Sequence, residues 1–229
     1  MIGIIGAMDL EVSEIISLMS ETTSEKISGV LYTRGKLKGQ ECVVAVSGIG
    51  KVNSAICAQT MILRYSPKLV INTGVAGGIL KEMKVADIAV ATDVVQYDMD
   101  TTAVGDPKGL ISGINIVNIP CSKSMVEKLI SITPKIENTN FFMGTIATGD
   151  SFINSNKRLE SLREEFNAIA CEMEGASIGQ VCYINGIDFM VIRAISDNGD
   201  DNSHIDYLTF AKIAAQKSIS ILCRFLESL

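Results

Sequence analysis

The chain has 229 residues, 47% of them hydrophobic, and a formal net charge of −6. That is enough apolar material for one large core, and the acidic balance with no basic cluster argues against a nucleic-acid backbone or an anionic membrane surface as partner. The six cysteines (Cys42, Cys57, Cys121, Cys171, Cys182 and Cys223) form no CxxC pair, and the single histidine, His204, has no ligand spacing around it, so free thiols in a reducing cytoplasm are expected rather than disulfides or a metal site.

Met1-Ile2-Gly3-Ile4-Ile5-Gly6 opens the chain without a basic leader, and no apolar run approaches the ~20 residues that span a bilayer. A soluble cytoplasmic protein is expected. Residues 1–5 read as a buried strand running into Gly6-Ala7-Met8, and helical periodicity follows over 11–19. The polar stretch 20–28 reads as a loop, and strand-like runs at 31–33 and 42–47 suggest a hairpin, hence a mixed sheet. A helix is expected over 52–65, then strands over 69–72, 88–96 and 115–119, and a helix over 122–131. The remaining expectations are strands at 143–147, 168–172 and 189–194, alternating with helices at 157–165, 176–184 and 207–226. No linker or repeat divides residues 1–229, and the alternation predicts a single domain, an α/β fold of the three-layer α/β/α sandwich kind with a central mixed sheet.

Several strand ends run into small residues: Ser47-Gly48-Ile49-Gly50, Gly74-Val75-Ala76-Gly77-Gly78 and Thr148-Gly149-Asp150-Ser151. Each is ordinary turn punctuation by itself, but such ends also let backbone amides approach a ligand. Gly48-Ile49-Gly50 imitates a dinucleotide fingerprint, yet Asn53 stands where the third glycine belongs and no acidic residue ends the next strand. The phosphate-loop pattern fails too, because Val52 follows Gly50-Lys51. No cofactor is therefore expected.

The charged positions attached to apolar runs are few. Glu11 sits in the first turn of the first helix, where it could serve the helix dipole, as Asp9 could, or a reaction. Glu172 and Glu174 flank Met173 after the run 168–171, either as a solvated helix start or as a carboxylate pair partnered by Arg193. Asp197 closes Arg193-Ala194-Ile195-Ser196-Asp197 at the carboxyl end of a strand, where α/β sheets bind ligands. Phe152-Ile153 reads as core or as a ligand shelf, and His204 as a loop residue before the last helix. Ser203 adjoins that histidine without a nucleophile elbow, so a serine triad has no parts.

Ile4-Ile5-Gly6-Ala7-Met8 with Glu11, Ser47-Gly48-Ile49-Gly50-Lys51-Val52, Asn72-Thr73-Gly74, Gly149-Asp150-Ser151-Phe152-Ile153-Asn154, Glu172-Met173-Glu174 and Arg193-Ala194-Ile195-Ser196-Asp197 together resemble, over the full length, the bacterial 5′-methylthioadenosine/S-adenosylhomocysteine nucleosidases. The resemblance implies a nucleoside phosphorylase-like fold, hydrolysis of the N-glycosidic bond of adenine nucleosides, and a homodimer. It further implies Asp197 as general acid oriented by Ser196, Glu11 acting on the attacking water near Arg193, and Glu174 on the ribosyl hydroxyls. Phe152 would stack on adenine, Ile153 would face the purine edge, Met173 would pack on the ribose, and Met8 and Ile49 would line the alkylthio end. Ala76, Gly77 and Glu172 complete the implied binding set.

Two positions depart from the family pattern. Val75 stands where many members carry serine, and Val104 where some place an aromatic residue that closes a partner's pocket. A phosphate-dependent phosphorylase and a non-catalytic nucleoside-binding module remain as alternatives. The first lacks a basic residue beside Asn72-Thr73.

Overall fold

Short runs of β-branched and aliphatic residues without polar alternation, bounded by turn residues, suit strands covered on both faces. The computed structural model describes residues 1–136, 139–198 and 203–229, and it bears this out. In chain order the elements are β1 (Ile2–Gly6), α1 (Asp9–Ser17), β2 (Ser20–Ile27), β3 (Val30–Leu37), β4 (Gln40–Val46), α2 (Lys51–Tyr65), β5 (Leu69–Gly78) and β6 (Ile88–Gln96). They continue with β7 (Ile119–Pro120), α3 (Lys123–Ile132), β8 (Phe141–Thr148), α4 (Asn156–Phe166), β9 (Ala168–Glu172), α5 (Gly175–Asn185), β10 (Asp188–Asp197) and α6 (Ser203–Glu227). β1 is buried at every residue, and β10 at every residue after the first.

β4, β1, β5 and β10 lie parallel, with Ile2 and Asp188 both opposite Leu69. Beyond β10 the sheet turns: β10 is antiparallel to β6, β6 and β8 are parallel, β8 and β9 are parallel, and β9 returns antiparallel to β5. Five strands thus close on themselves. Gly77 sits opposite Asp197 on one side and Cys171 on the other, so the ends of β5, β9 and β10 converge at one rim. α1 packs with α6, and α2 packs with α5. A hydrogen bond of 2.6 Å between the Ser54 and Ser177 hydroxyls joins the second pair. The mixed sheet and the two helical layers match the expected sandwich. No helix among the described residues is long and apolar enough to cross a membrane.

Three local expectations change. Residues 20–28 are no loop: β2 is a mostly exposed outer strand paired antiparallel with β3, held by backbone bonds and by ion pairs such as Lys36 to Glu21 at 2.8 Å. Solvent-facing pairing leaves no apolar signature. Of 115–119 only Ile119 enters the sheet, because Gly113 (φ 92°) and Asn115 (φ 55°) fold the preceding residues into a tight turn closed by an Ile111–Ile116 bridge. His204 lies inside the first turn of α6 and is exposed there, because that helix starts before the expected residue 207.

Ile71, central in β5, is fully buried. Ile71→Ala is expected to lose roughly 2 to 5 kcal/mol of stability by cavity formation, measured by urea unfolding with the far-ultraviolet circular dichroism unchanged.

Candidate functional site

The strand ends that converge at Gly77 open into a cleft. Its wall includes Met8 and Glu11 from the first strand–helix junction, Ala76 and Gly77 from β5, Phe152 and Ile153 after β8, Glu172, Met173 and Glu174 at the β9–α5 junction, and Ser196 and Asp197 ending β10. The sequence placed these residues on separate segments, and the fold brings all of them to one place. Two expected members stand apart. Arg193 lies beneath the floor, fully buried, and Ile49 is half exposed outside the wall.

Glu11 is 2% exposed, standing at the start of α1 and in the cleft wall at once. Its Oε2 accepts the Met8 amide at the N-terminus of α1 (3.0 Å) and the Ala7 amide (2.8 Å), while Oε1 accepts the Val75 amide (3.0 Å). Asp9, its rival for the helix end, points into solvent. Burial pushes the Glu11 carboxyl above its ordinary value, against the pull of Arg193 and the three amides.

Arg193 organises the acidic side. Its guanidinium donates to Asn72 Oδ1 at 2.6 Å, pairs closely with Glu172, and stands 3.5 Å from Glu174 Oε2. Burial by itself would lower its pKa, but the charges of Glu172, Glu174 and Glu11 outweigh that and raise it. Nε and Nη1 have no protein hydrogen-bond partner among the described residues. A Cβ placed on Gly74 would clash with both Glu11 Oε1 and Arg193 Nη1, so the carboxylate and the open guanidinium edge flank one spot that only glycine leaves clear. Glu172 is enclosed by donors: the Thr148 hydroxyl, the amides of Glu174 (3.0 Å) and Gly175 (2.7 Å), and Arg193. Glu174 accepts the Gly50 amide at 2.9 Å. Burial, reinforced by the neighbouring Glu172 charge, pushes Glu174 up to about 7. Across the cleft the Ser196 hydroxyl donates to Asp197 Oδ2 at 2.8 Å, with Asp197 only 2% exposed.

Phe152 and Ile153 divide between their two readings: Ile153 is buried in a core cluster, whereas Phe152 is 43% exposed at the rim. Tyr207 was not singled out by the sequence. Its ring meets Phe152 edge-on at 5.5 Å and its hydroxyl reaches Met8 Sδ at 3.1 Å, closing the wall from α6. Ala7, Val75, Ser151 and Cys171 also line the cleft without having been singled out as site residues. Val75 brings an apolar side chain there while its amide holds Glu11.

A cleft built from carboxylates at the carboxyl ends of a closed mixed sheet defines a class, and a family model described as the phosphorylase superfamily matches residues 1–227. The 5′-methylthioadenosine/S-adenosylhomocysteine nucleosidase of Shewanella sp. strain W3-18-1 is 38% identical over 229 residues, covering 100% of this chain and 99% of that protein. The nucleosidase of the same name from Neisseria meningitidis, solved with methylthio-immucillin-A, superposes with a TM-score of 0.96 at 31% identity, covering 100% and 99% of the two chains. A futalosine hydrolase of Helicobacter pylori superposes with a TM-score of 0.95 at 35% identity, covering 100% and 97%. The chain belongs to the 5′-methylthioadenosine/S-adenosylhomocysteine nucleosidase family of the phosphorylase superfamily.

The elevated Glu174 carboxyl has a measurable consequence. From the ordinary 4.5 up to about 7, the folded chain holds a proton at Glu174 that the unfolded chain has released. Stability contributed by this group therefore falls as pH rises through that window and is level above it. Glu174→Gln is expected to remove this part of the decline, so that its stability relative to the parent chain increases between about pH 5 and pH 8, read from urea unfolding across that range.

Proposed function

We propose that this chain is an N-glycosyl hydrolase that releases adenine from 5′-methylthioadenosine and S-adenosylhomocysteine, and from 5′-deoxyadenosine, leaving the 5-substituted ribose. The observation that carries this reading is the meeting of Glu11, Glu174 and Asp197 in one cleft over the buried Arg193. In the reaction the C1′–N9 bond breaks and its electron pair passes to the purine. Asp197, oriented by Ser196, gives its proton to N7, so that neutral adenine leaves. A positioned acid of this kind contributes about 10² to 10⁴ in rate. Water, held between Glu11 and the open Nη1 edge of Arg193, attacks C1′ and yields its proton to Glu11. The raised proton affinity of that carboxyl suits it to the task.

Glu174 accepts the ribosyl hydroxyls, and the surrounding negative charge favours the oxocarbenium-like sugar. Phe152 stacks on adenine, the Ile153 backbone faces the purine edge, and Met173 packs on the ribose. Met8, joined by Tyr207, lines the 5′ end. Water rather than phosphate is the acceptor because Arg193, the only buried cation among the described residues, is already engaged by Glu172 and Asn72. The likeness to a futalosine hydrolase adds an aminofutalosine-type nucleoside as a fourth substrate, since the same bond would be cut.

The reading places the chain in methionine salvage and S-adenosylmethionine recycling, in the cytoplasm, with residues 1–229 as one working unit. The six buried, free cysteines suit a reducing compartment. It also includes a homodimer. Ile49, just ahead of α2, and Val52 and Ile56, four residues apart on one face of that helix, are all exposed, as are Tyr183 and Ile184 at the end of its neighbour α5. A charge at Val52, as in Val52→Glu, is expected to convert a dimer to monomer in light scattering.

Asp197→Asn is expected to remain folded and to lower kcat for adenine release from methylthioadenosine by about 10² to 10⁴. Parent-like turnover in that variant removes Asp197 from the mechanism. Adenine release by the parent chain that climbs steeply with added phosphate overturns hydrolysis in favour of phosphorolysis.

A further inference from the structure

Lys51, Asp98 and Asp150 stand just outside the cleft wall, and the lysine touches both aspartates. Lys51, the first residue of α2, donates its backbone amide to Asp150 Oδ1 at 2.8 Å and its ammonium to Asp98 Oδ1 at 2.6 Å. Asp98 uses its other oxygen to accept the Asp150 amide at 2.9 Å, which closes a three-membered circuit. The Lys51 ammonium also reaches Gln96 Oε1 at 3.3 Å. Each member sits at the carboxyl end of a different strand: Lys51 beyond β4, Asp98 beyond β6 and Asp150 beyond β8. The circuit depends on Gly50, whose φ of 98° favours glycine and whose added Cβ would stand 3.0 Å from Asp150 Oδ1.

The circuit abuts the substrate-facing groups on both sides. Gly50, next to Lys51, donates its amide to Glu174, and Asp150 precedes Phe152 by two residues. We propose that Lys51, Asp98 and Asp150 form a clasp of positioning residues that fixes the purine shelf at Phe152 and Ile153 against the ribose carboxylate Glu174, so that base and sugar are gripped as one unit. The clasp rests on the nucleosidase reading for what occupies the two halves. Its groups touch neither half directly and act through Gly50 and the 149–153 turn.

An ion pair with this much solvent access contributes little to global stability. The lysine and aspartate side chains are 19% and 31% exposed. Its effect lies instead in preorganisation. Loosening the clasp lets the two halves of the site move apart, which weakens ground-state and transition-state binding alike and raises KM while leaving kcat nearly intact.

The test uses the full chain and methylthioadenosine, which carries no net charge and so removes long-range steering from the comparison. Lys51→Met and Asp98→Asn are each expected to raise KM roughly tenfold with kcat changed less than about threefold. The double variant should be no worse than the worse single one, and Lys51→Arg should recover most of the loss. Should one single variant not fold, the other carries the same test. Affinity for methylthioadenosine is measured in parallel by calorimetry in the Asp197→Asn background, with and without the clasp substitutions. If the parent chain releases no adenine but the clasp variants still bind the nucleoside more weakly, the hydrolase reading fails and the clasp stands. Adenine release by the parent with unchanged KM and unchanged affinity in both single variants overturns the clasp, as do additive losses in the double variant.

Discussion

A guanidinium fully buried from bulk solvent holds the site together. Stripping an arginine of its solvent costs several kcal/mol, and the cost is offset only where counter-charges and acceptors surround it. Arg193 meets that condition through Glu172 and Asn72, which come from two other strands. Glu172 in turn is enclosed by the Thr148 hydroxyl and by two amides at the start of α5. One ion pair thus stitches β5, β8, β9 and β10 at the rim where they converge. Burial then raises the proton affinity of the carboxyls left over, Glu11 and Glu174, and at Glu174 the neighbouring Glu172 charge adds to it. The ion pair and the raised carboxyls share one setting, the exclusion of solvent at this rim.

How much of this could be read from the residues depended on burial. Both-face-buried strands announce themselves as unbroken apolar runs, so β1, β5, β9 and β10 and the helices between them were legible, and so was the position of Asp197 at a strand end. The pairing of Glu172 and Glu174 with Arg193 was legible as a suspicion because charges attached to apolar runs need partners. Strand β2 escaped because its pairing is a backbone affair and its side chains face water on both sides. Tyr207 escaped for a different reason: within α6 it looks like one more apolar position, and only the fold sets it against Phe152 and Met8. The closure of five strands into a ring was equally invisible, since it depends on β9 reversing beside β5 through just two register positions, Gly77–Cys171 and Gly78–Ala170.

Glu11 illustrates how one carboxylate can satisfy competing demands. It stands in the first turn of a helix and is locked in position by three amides. The same locking would ordinarily hold a carboxylate acidic, and burial reverses that tendency. A helix-capping role and a chemical role therefore do not exclude each other when the helix end is buried against a strand terminus.

The polar outer strand β2 has a further consequence for the molecule as a whole. An open sheet edge is a template on which another chain can add strands, and proteins that carry one must blunt it. β2 carries Glu21, Glu25 and Lys26, and Glu21 and Glu25 are tied down by Lys36 and Arg64. A second strand arriving there would have to strip water from those charges before gaining a single backbone hydrogen bond. Growth of the sheet from this side is therefore resisted.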